Sequence, residues 1–343
     1  MMTTHRRRTL DVRIETFAYR APFRISGYVF HEARVVVVVI GENGIEGRGE
    51  SSGTYYLGET PEVMVAAIEK LRDKVERGLT RRELQMALPA NGPRNAIDCA
   101  LWELDARLAG KPAWALAGVG NPRPLLTTYT LGADEPADMA AGAKNYADAR
   151  ALKLKLTGDV ELDAERVRAV RGSRKDVWIG IDANQGFTPD KLERLLPTLI
   201  EADVKLIEQP FARGREADLD GFDRPIPFAA DESALCLSDV AGLVGRFDVL
   251  NIKLDKCGGL TEGLAMVAEA QRLGLKVMVG NMGGTSFAMA PAFILGQSCD
   301  IVDLDGPLFL KADRVPGATY EDGFVTCPDE LWGAPAVGDQ AFV

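Results

Sequence analysis

The residues best suited to chemistry in this chain are acids and lysines placed at the ends of short apolar runs. Leu152-Lys153-Leu154-Lys155-Leu156 opens the series with strict alternation, which puts both lysines on one face of a strand. Asp182, Glu208, Asp231 and Lys253 follow at intervals of 27, 26, 23 and 22 residues, and Asp303 comes later in the same setting. Each interval has the length of one strand, one helix and their loops.

Three carboxylates brought together from neighbouring strands repel unless a cation lies among them. Oxygen-only ligands select a hard ion, and Mg2+ is the best match for Asp182, Glu208 and Asp231. Lys155 and Lys253 would stand on opposite sides of a molecule held at that ion. One lysine can then remove a proton from a carbon while the other returns it from behind. Such a lysine needs a lowered pKa, and the metal together with Lys153 would supply that for Lys155. The plainer alternatives are salt bridges, from the acids to surface arginines or from the lysines to the acids alone. Ala183-Asn184, Gln209-Pro210 and Glu232-Ser233, which follow the three acids, do not read as solvated helix faces.

Histidine narrows the choice further. Only His5 and His31 occur, both near the N-terminus, which excludes or nearly excludes a histidine-ligated metal, a Ser-His-Asp triad and a late-chain histidine base.

The elements that must position these groups change character along the chain. From Val12 to Arg48 the pattern is β, with Ala33–Ile40 and Ile45–Gly49 flanking the hairpin signal Glu42-Asn43-Gly44. A Gly-, Ser- and Tyr-rich loop runs from Glu50 to Gly58. Helices are expected over Pro61–Arg77, after the capping box Thr80-Arg81-Arg82-Glu83, and over Arg94–Ala109 before Gly110. This is an α+β unit spanning residues 1–124.

After Pro122-Arg123-Pro124 eight short β-like runs alternate with helical ones. They are Thr127–Leu131, Ala151–Leu156, Val177–Asp182, Val204–Glu208, Ile226–Asp231, Val249–Lys253, Lys276–Gly280 and Ile301–Leu304. The rhythm predicts an α/β fold, a TIM-like (β/α)7β barrel over residues 125–310, whose strand C-termini carry the chemistry. No Gly-x-Gly-x-x-Gly follows a first strand, which speaks against a doubly wound sheet. The turn-rich tail 311–343 is expected to pack back on the first unit and complete an α+β capping domain.

Composition agrees with a globular protein of two domains: 343 residues, 46% hydrophobic and 26% charged. A net charge of −10 disfavours nucleic acid as a partner. The longest apolar run, Val35–Ile40, is far too short for a membrane helix, and Arg6-Arg7-Arg8 leads into no apolar signal core. Five scattered cysteines without a Cys-x-x-Cys pair suit reduced thiols in a cytoplasm. Nothing here sets the oligomeric state, and a homo-oligomer stays open.

These motifs, with Asn251-Ile252-Lys253-Leu254-Asp255-Lys256-Cys257-Gly258-Gly259-Leu260-Thr261 and Arg94-Asn95-Ala96-Ile97-Asp98-Cys99-Ala100-Leu101-Trp102, resemble the enolase superfamily over nearly the whole chain. The resemblance is to its muconate-lactonising-enzyme subgroup, and within it to the dipeptide epimerases of the L-Ala-D/L-Glu type. It implies Mg2+ at Asp182, Glu208 and Asp231, with Lys155 and Lys253 as the acid/base pair. Lys153 would then contact the substrate carboxylate. Asp303-Leu304-Asp305 would bind the α-ammonium of a dipeptide, with Thr130, Asn281 and Met282 as further contacts.

Two departures from the family stand out. Phe30 occupies the place of the arginine that holds a glutamate side chain, which leaves Arg24 or His31 to substitute and admits a hydrophobic second residue. Gly284 stands where many members place an acid, and is expected to widen the pocket. The rival readings are an N-succinylamino acid racemase or o-succinylbenzoate synthase, a lyase or cycloisomerase with one working lysine, and a fold kept for binding alone.

Overall fold

The computed structural model describes residues 8–25 and 27–335. His5, Arg6, Arg7 and the end of the tail lie outside them. Strands β1 (Thr9–Ile25), β2 (Tyr28–Glu42) and β3 (Ile45–Ser51) form an antiparallel sheet. Asn43 and Gly44 turn β2 into β3 with φ of 53° and 81°, the paired positive values of a type I′ turn. Val36, Val38 and Ile40 face a small core shared with the helices that follow.

The helix expected over Pro61–Arg77 is two: α1 (Pro61–Glu69) and α2 (Arg72–Glu76). Leu71 N–H bonds the Ile68 carbonyl at 2.9 Å, three residues back, and this tight turn breaks the α ladder. The capping box forms as read and opens α3 (Arg81–Ala87): Thr80 N–H to Glu83 Oε2 is 2.9 Å, and Glu83 N–H to Thr80 Oγ1 is 3.2 Å. Helix α4 (Gly92–Ala109) starts earlier than expected because Asn91 Oδ1 accepts the Arg94 N–H at 3.0 Å. Strand β3 lies directly on α4, since a Cβ at Gly47 or Gly49 would strike the carbonyl of Ala100 or Ala96. Only glycine permits that approach.

Past α5 (Ala113–Leu116) and β4 (Leu125–Leu126) the alternation begins with β5 (Tyr129–Leu131) and α6 (Pro136–Asn145). It continues through β6 (Ala151–Lys155), α7 (Val160–Ser173), β7 (Trp178–Asp182), α8 (Pro189–Glu201) and β8 (Val204–Glu208). Then come β9 (Phe228–Ala230), β10 (Val249–Lys253), α9 (Leu254–Cys257), α10 (Leu260–Arg272), β11 (Lys276–Gly280), α11 (Ser286–Gly296) and β12 (Ile301–Val302). The eight strands β5 to β12 form one parallel sheet in sequence order. The sheet curls until Thr128 N–H, just before β5, bonds the Val302 carbonyl of β12 at 3.0 Å.

The rhythm is less regular than expected in two places. The connections after β8 and β9 carry only 3-10 turns, Glu216–Leu219 and Leu237–Leu243. Gly214, Gly221 and Pro225 interrupt the first segment, and Gly242 and Gly245 the second. Strands β9 and β12 also stop short of Asp231 and Asp303, which leave the ladder at its edge.

Strand alternation explains the location of the charges. Leu206, Ala229, Val249 and Met278, with Trp178 and Ile301 against them, form an apolar cluster of their own. Two or four residues further on, at or just past the ends of these strands, stand Asp182, Glu208, Asp231, Lys253 and Asp303, so period-2 geometry puts them above that layer on the same side. The larger core lies between the sheet and its helices and takes in Cys99, Trp102 and Ala106 of α4. Strand β14 (Phe324–Thr326) pairs with β13 (Thr319–Glu321) on one side and with β4 on the other. Other parts of the tail bond the first unit: Lys311 N–H to the Ala18 carbonyl and Trp332 Nε1 to the Arg48 carbonyl, both at 2.8 Å. Among the described residues no helix is long and apolar enough to cross a membrane.

Candidate active site

Register sets the first part of the site. Lys155 pairs with Asp182 and Asp182 with Glu208 across β6, β7 and β8, so three of the predicted groups stand at one height. Asp231 follows β9 and Lys253 ends β10. Carboxylate oxygens of Asp182, Glu208 and Asp231 lie within 4.8 Å of one another, all buried.

Each acid is held by one oxygen and offers the other. Asp182 Oδ1 accepts the Asn184 N–H at 2.9 Å, Glu208 Oε1 accepts Asn251 Nδ2 at 2.8 Å, and Asp231 Oδ1 accepts Lys256 Nζ at 2.6 Å. Their second oxygens meet the lysines. Lys155 Nζ is 2.6 Å from Asp182 Oδ2, Lys153 Nζ 2.7 Å from Glu208 Oε2, and Lys253 Nζ 2.6 Å from Asp231 Oδ2. Outer partners that orient one oxygen while the other points inward are what a carboxylate metal site requires. With three hard donors and no soft one, the set fits Mg2+. Asn184, Asn251 and Lys256 were not singled out from the sequence, although Asn251 and Lys256 lie within the quoted motif.

The protein's own acids hold two of the lysines up rather than down. Burial works against the Lys153 ammonium, but Asp303, Glu208 and Asp182 outweigh it and hold its pKa well above normal. Lys253 is likewise raised: Asp231 overcomes the effect of burial. Burial and the adjacent Asp182 push Glu208 up to about 7. Burial and Asp231 push Glu232 up to about 8.

On the other side of the site, Lys153 Nζ reaches Asp303 Oδ2 at 2.8 Å, and Asp305 Oδ2 accepts the Thr130 N–H at 2.6 Å. Asp303 is thus already paired with Lys153, a partner that was not evident in the sequence. Burial and the neighbouring Asp303 push Asp305 up to about 7. Asn281 Nδ2 donates to the Asp303 carbonyl at 2.7 Å and fixes that turn.

A cavity of about 350 Å³ joins these groups to the first unit. Thr130, Lys153, Lys155, Asp231, Lys253, Asn281, Met282, Asp303 and Asp305 line its floor, and Phe30, Tyr55 and Tyr56 form part of its roof. Phe30 and Tyr55 meet edge to face at 5.2 Å, as do Tyr55 and Tyr56. Tyr19, Phe23 and Phe309 make a second aromatic wall, with Phe23 and Phe309 centroids 4.7 Å apart. The sequence reading missed Tyr19, Phe309 and Glu232.

Two expectations need correction. Arg24 does not line the cavity; strand alternation turns Phe23 and Ile25 inward, and the Arg24 guanidinium pairs with Asp134 Oδ1 at 3.0 Å. His31 is exposed and does not line the cavity either. Gly284 widens nothing, since it is not in the wall. Its φ is +105°, and a Cβ there would lie 3.0 Å from Glu50 Oε1, so an acid at this position would confront a buried carboxylate.

Residues 7–118 match the mandelate racemase/muconate lactonizing enzyme N-terminal domain, and residues 138–333 match the enolase C-terminal domain-like model. The chain belongs to the enolase superfamily. Among its superfamily relatives, L-Ala-D/L-Glu epimerase of Escherichia coli K12 is 38% identical over 92% of this chain and 98% of that protein. A solved Agrobacterium tumefaciens enolase family member with homology to dipeptide epimerases, bound to sodium and L-Ala-L-Glu, is 43% identical. It superposes with a TM-score of 0.92 over 95% of this chain and all of that one. A dipeptide epimerase of Methylococcus capsulatus, complexed with Mg and L-Arg-D-Lys, is 31% identical with a TM-score of 0.86, covering 94% and 97%.

Proposed function

We propose that this enolase superfamily member is a Mg2+-dependent dipeptide epimerase that inverts Cα of the C-terminal residue by proton transfer between two lysines. The observation that carries the reading is the placement of Lys155 and Lys253. They stand on strands β6 and β10, four places apart in the eight-stranded sheet, each on a different acid of one carboxylate cluster. Mg2+ bound by Asp182, Glu208 and Asp231 would neutralise the acids that hold Lys153 and Lys253 up, and would draw charge from the substrate carboxylate.

Around it the chain's own groups divide the work. Lys155 removes or delivers the Cα proton on one face and Lys253 on the other, while Lys153 keeps positive charge beside the substrate carboxylate. Asp303 and Asp305 hold the N-terminal ammonium, Thr130 fixes Asp305, and Asn281 fixes the Asp303 turn. Met282 and Phe30 close the apolar walls. The acid pair favours a free amino terminus over an N-acyl group, which ranks the N-succinylamino acid and succinylbenzoate alternatives below this one.

L-Ala-D/L-Glu is the leading substrate, supported by the relatives named above, and Phe30 in the roof also suits hydrophobic second residues. The architecture is read as a (β/α)7β barrel over 125–310, roofed by 1–124 together with the tail. The bond from Thr128 to Val302 supports that closure.

Incubating L,L-dipeptides in D₂O with Mg2+ and following Cα deuterium tests the function. Label should enter free-amine dipeptides together with inversion. Label in N-acylated amino acids but in no dipeptide would refute the reading.

A further inference from the structure

Among the buried carboxylates that join the first unit to the rest of the chain, two reach in opposite directions. Glu50, near the end of β3, accepts the Thr285 N–H and hydroxyl and Arg314 Nη2, each at 2.7 Å. Asp255, in α9 and two residues beyond Lys253, reaches the other way. Its Oδ1 accepts the Ser51 hydroxyl at 2.5 Å, the Ser52 N–H at 3.0 Å and the Gly53 N–H at 3.1 Å. Asn95 Nδ2 adds a fourth donor at 3.4 Å.

The end of β10 and the turn after it therefore make three side-chain ties that bear on the site. Lys253 binds Asp231, Asp255 binds the loop 51–53, and Lys256 binds the second oxygen of Asp231. The loop held by Asp255 runs directly into Tyr55 and Tyr56, whose rings roof the cavity. Of these, Tyr55 stands close enough to Lys253 to feel its charge. Gly53 has φ +70°, and a Cβ there would lie 2.5 Å from Met64 Sδ, so the loop packs closely on α1 at this point. Without Asp255 the Gly53 N–H would fall back on the Ser51 hydroxyl at 3.2 Å, and the Ser52 N–H would lose its carboxylate acceptor.

We propose that Asp255 is a positioning residue that locks the loop Ser51–Tyr56 to the Lys253 side of the site, so that the aromatic roof and Lys253 close on the same face of the substrate. This rests on the reading that Lys253 serves one face of Cα and Lys155 the other. Asp255 touches neither substrate nor metal; it acts through the loop and through the chain that ends β10.

Two measurements decide it. In the unliganded enzyme, Asp255→Asn should raise amide hydrogen exchange over residues 51–58 at least about tenfold, because charge-assisted bonds are replaced by weaker ones. Exchange over 281–288, held by Glu50, should not change. With dipeptide in D₂O, Lys155→Ala identifies the stereoisomer whose proton faces Lys253, since only that isomer still exchanges. In Asp255→Asn, exchange of this isomer should fall about 10- to 100-fold while the opposite isomer changes little. Ser51→Ala, which removes one donor and leaves the carboxylate in place, should shift both readouts the same way by less. Unchanged amide exchange at 51–58, or equal losses for the two isomers, would overturn the proposal. A wild-type enzyme inert toward every dipeptide would instead overturn the functional reading, and the amide exchange would still decide the latch.

Discussion

The floor and the roof of the cavity are built on different physical terms. On the floor every ionisable group has at least one charged or hydrogen-bonding partner, and the acids are fixed through one oxygen each. Four buried polar atoms of the remaining lining have no partner: Ser52 Oγ and Tyr56 OH in the roof, and Asn184 Oδ1 and Glu232 Oε2 in the walls just past β7 and β9. All four residues line the cavity. A buried polar group without a partner costs about 1–3 kcal/mol, so it persists where a ligand can satisfy it. The floor is organised to do chemistry whatever the side chain above it. The roof is organised to meet a particular one.

Breaking the floor should have the largest effect. Lys155→Ala or Lys253→Ala should each lower inversion by about 10²- to 10⁴-fold, with Cα exchange surviving for one stereoisomer only. Exchange of both isomers in either variant would refute the two-base division. Chelation should abolish turnover, and added Mg2+ should restore it. Activity that persists in a chelator-treated, metal-free sample would remove the acids' assigned role.

Smaller effects are expected where floor meets wall. Asp303→Asn or Asp305→Asn should weaken free-amine dipeptides about 10- to 100-fold, the size of a hydrogen bond to a charged group. The pH dependence sharpens this. The Asp305 carboxyl, held up to about 7 by burial and by Asp303, is partly protonated below neutrality, and an arriving ammonium favours its ionised form. Binding should therefore release a proton below about pH 7, and affinity should rise from pH 6 toward 7.5 before the dipeptide's own amine, with pKa about 8, deprotonates. Calorimetry in buffers of different ionisation enthalpy measures the proton, and Asp305→Asn should abolish it.

The smallest expected effect lies in the roof. Tyr56→Phe should leave the rate on small second residues nearly unchanged and shift preference among polar ones by about fivefold, near 1 kcal/mol. A kinetic series over dipeptides differing only in the second residue would show it. A uniform loss across the series would mean that Tyr56 belongs with the floor.

How much was legible from residues alone follows the same division. Alternation put Lys153 and Lys155 on one face, and repeat spacing put Asp182, Glu208, Asp231 and Lys253 on successive strands, because period and register are local properties of the chain. The helix of 61–77 was misjudged because one three-residue bond breaks it without disturbing the apolar pattern. Arg24 was misjudged because its side depends on a strand register that only the pairing of β1 with β2 defines. Asn184, Asn251 and Lys256 carry no signal of their own, since any polar residue near a motif looks alike until its partner is known.

By itself, then, the sequence determined the fold class, the order of the strands and the kinds of groups at their ends, through periodicity and charge. The tertiary structure alone decided which oxygen of each acid faces the lysines, that Lys153 is shared with Asp303, and which aromatic rings cover the site. Those depend on contacts between residues more than two hundred positions apart, such as Ser51 with Asp255 or Phe23 with Phe309. No local pattern encodes them.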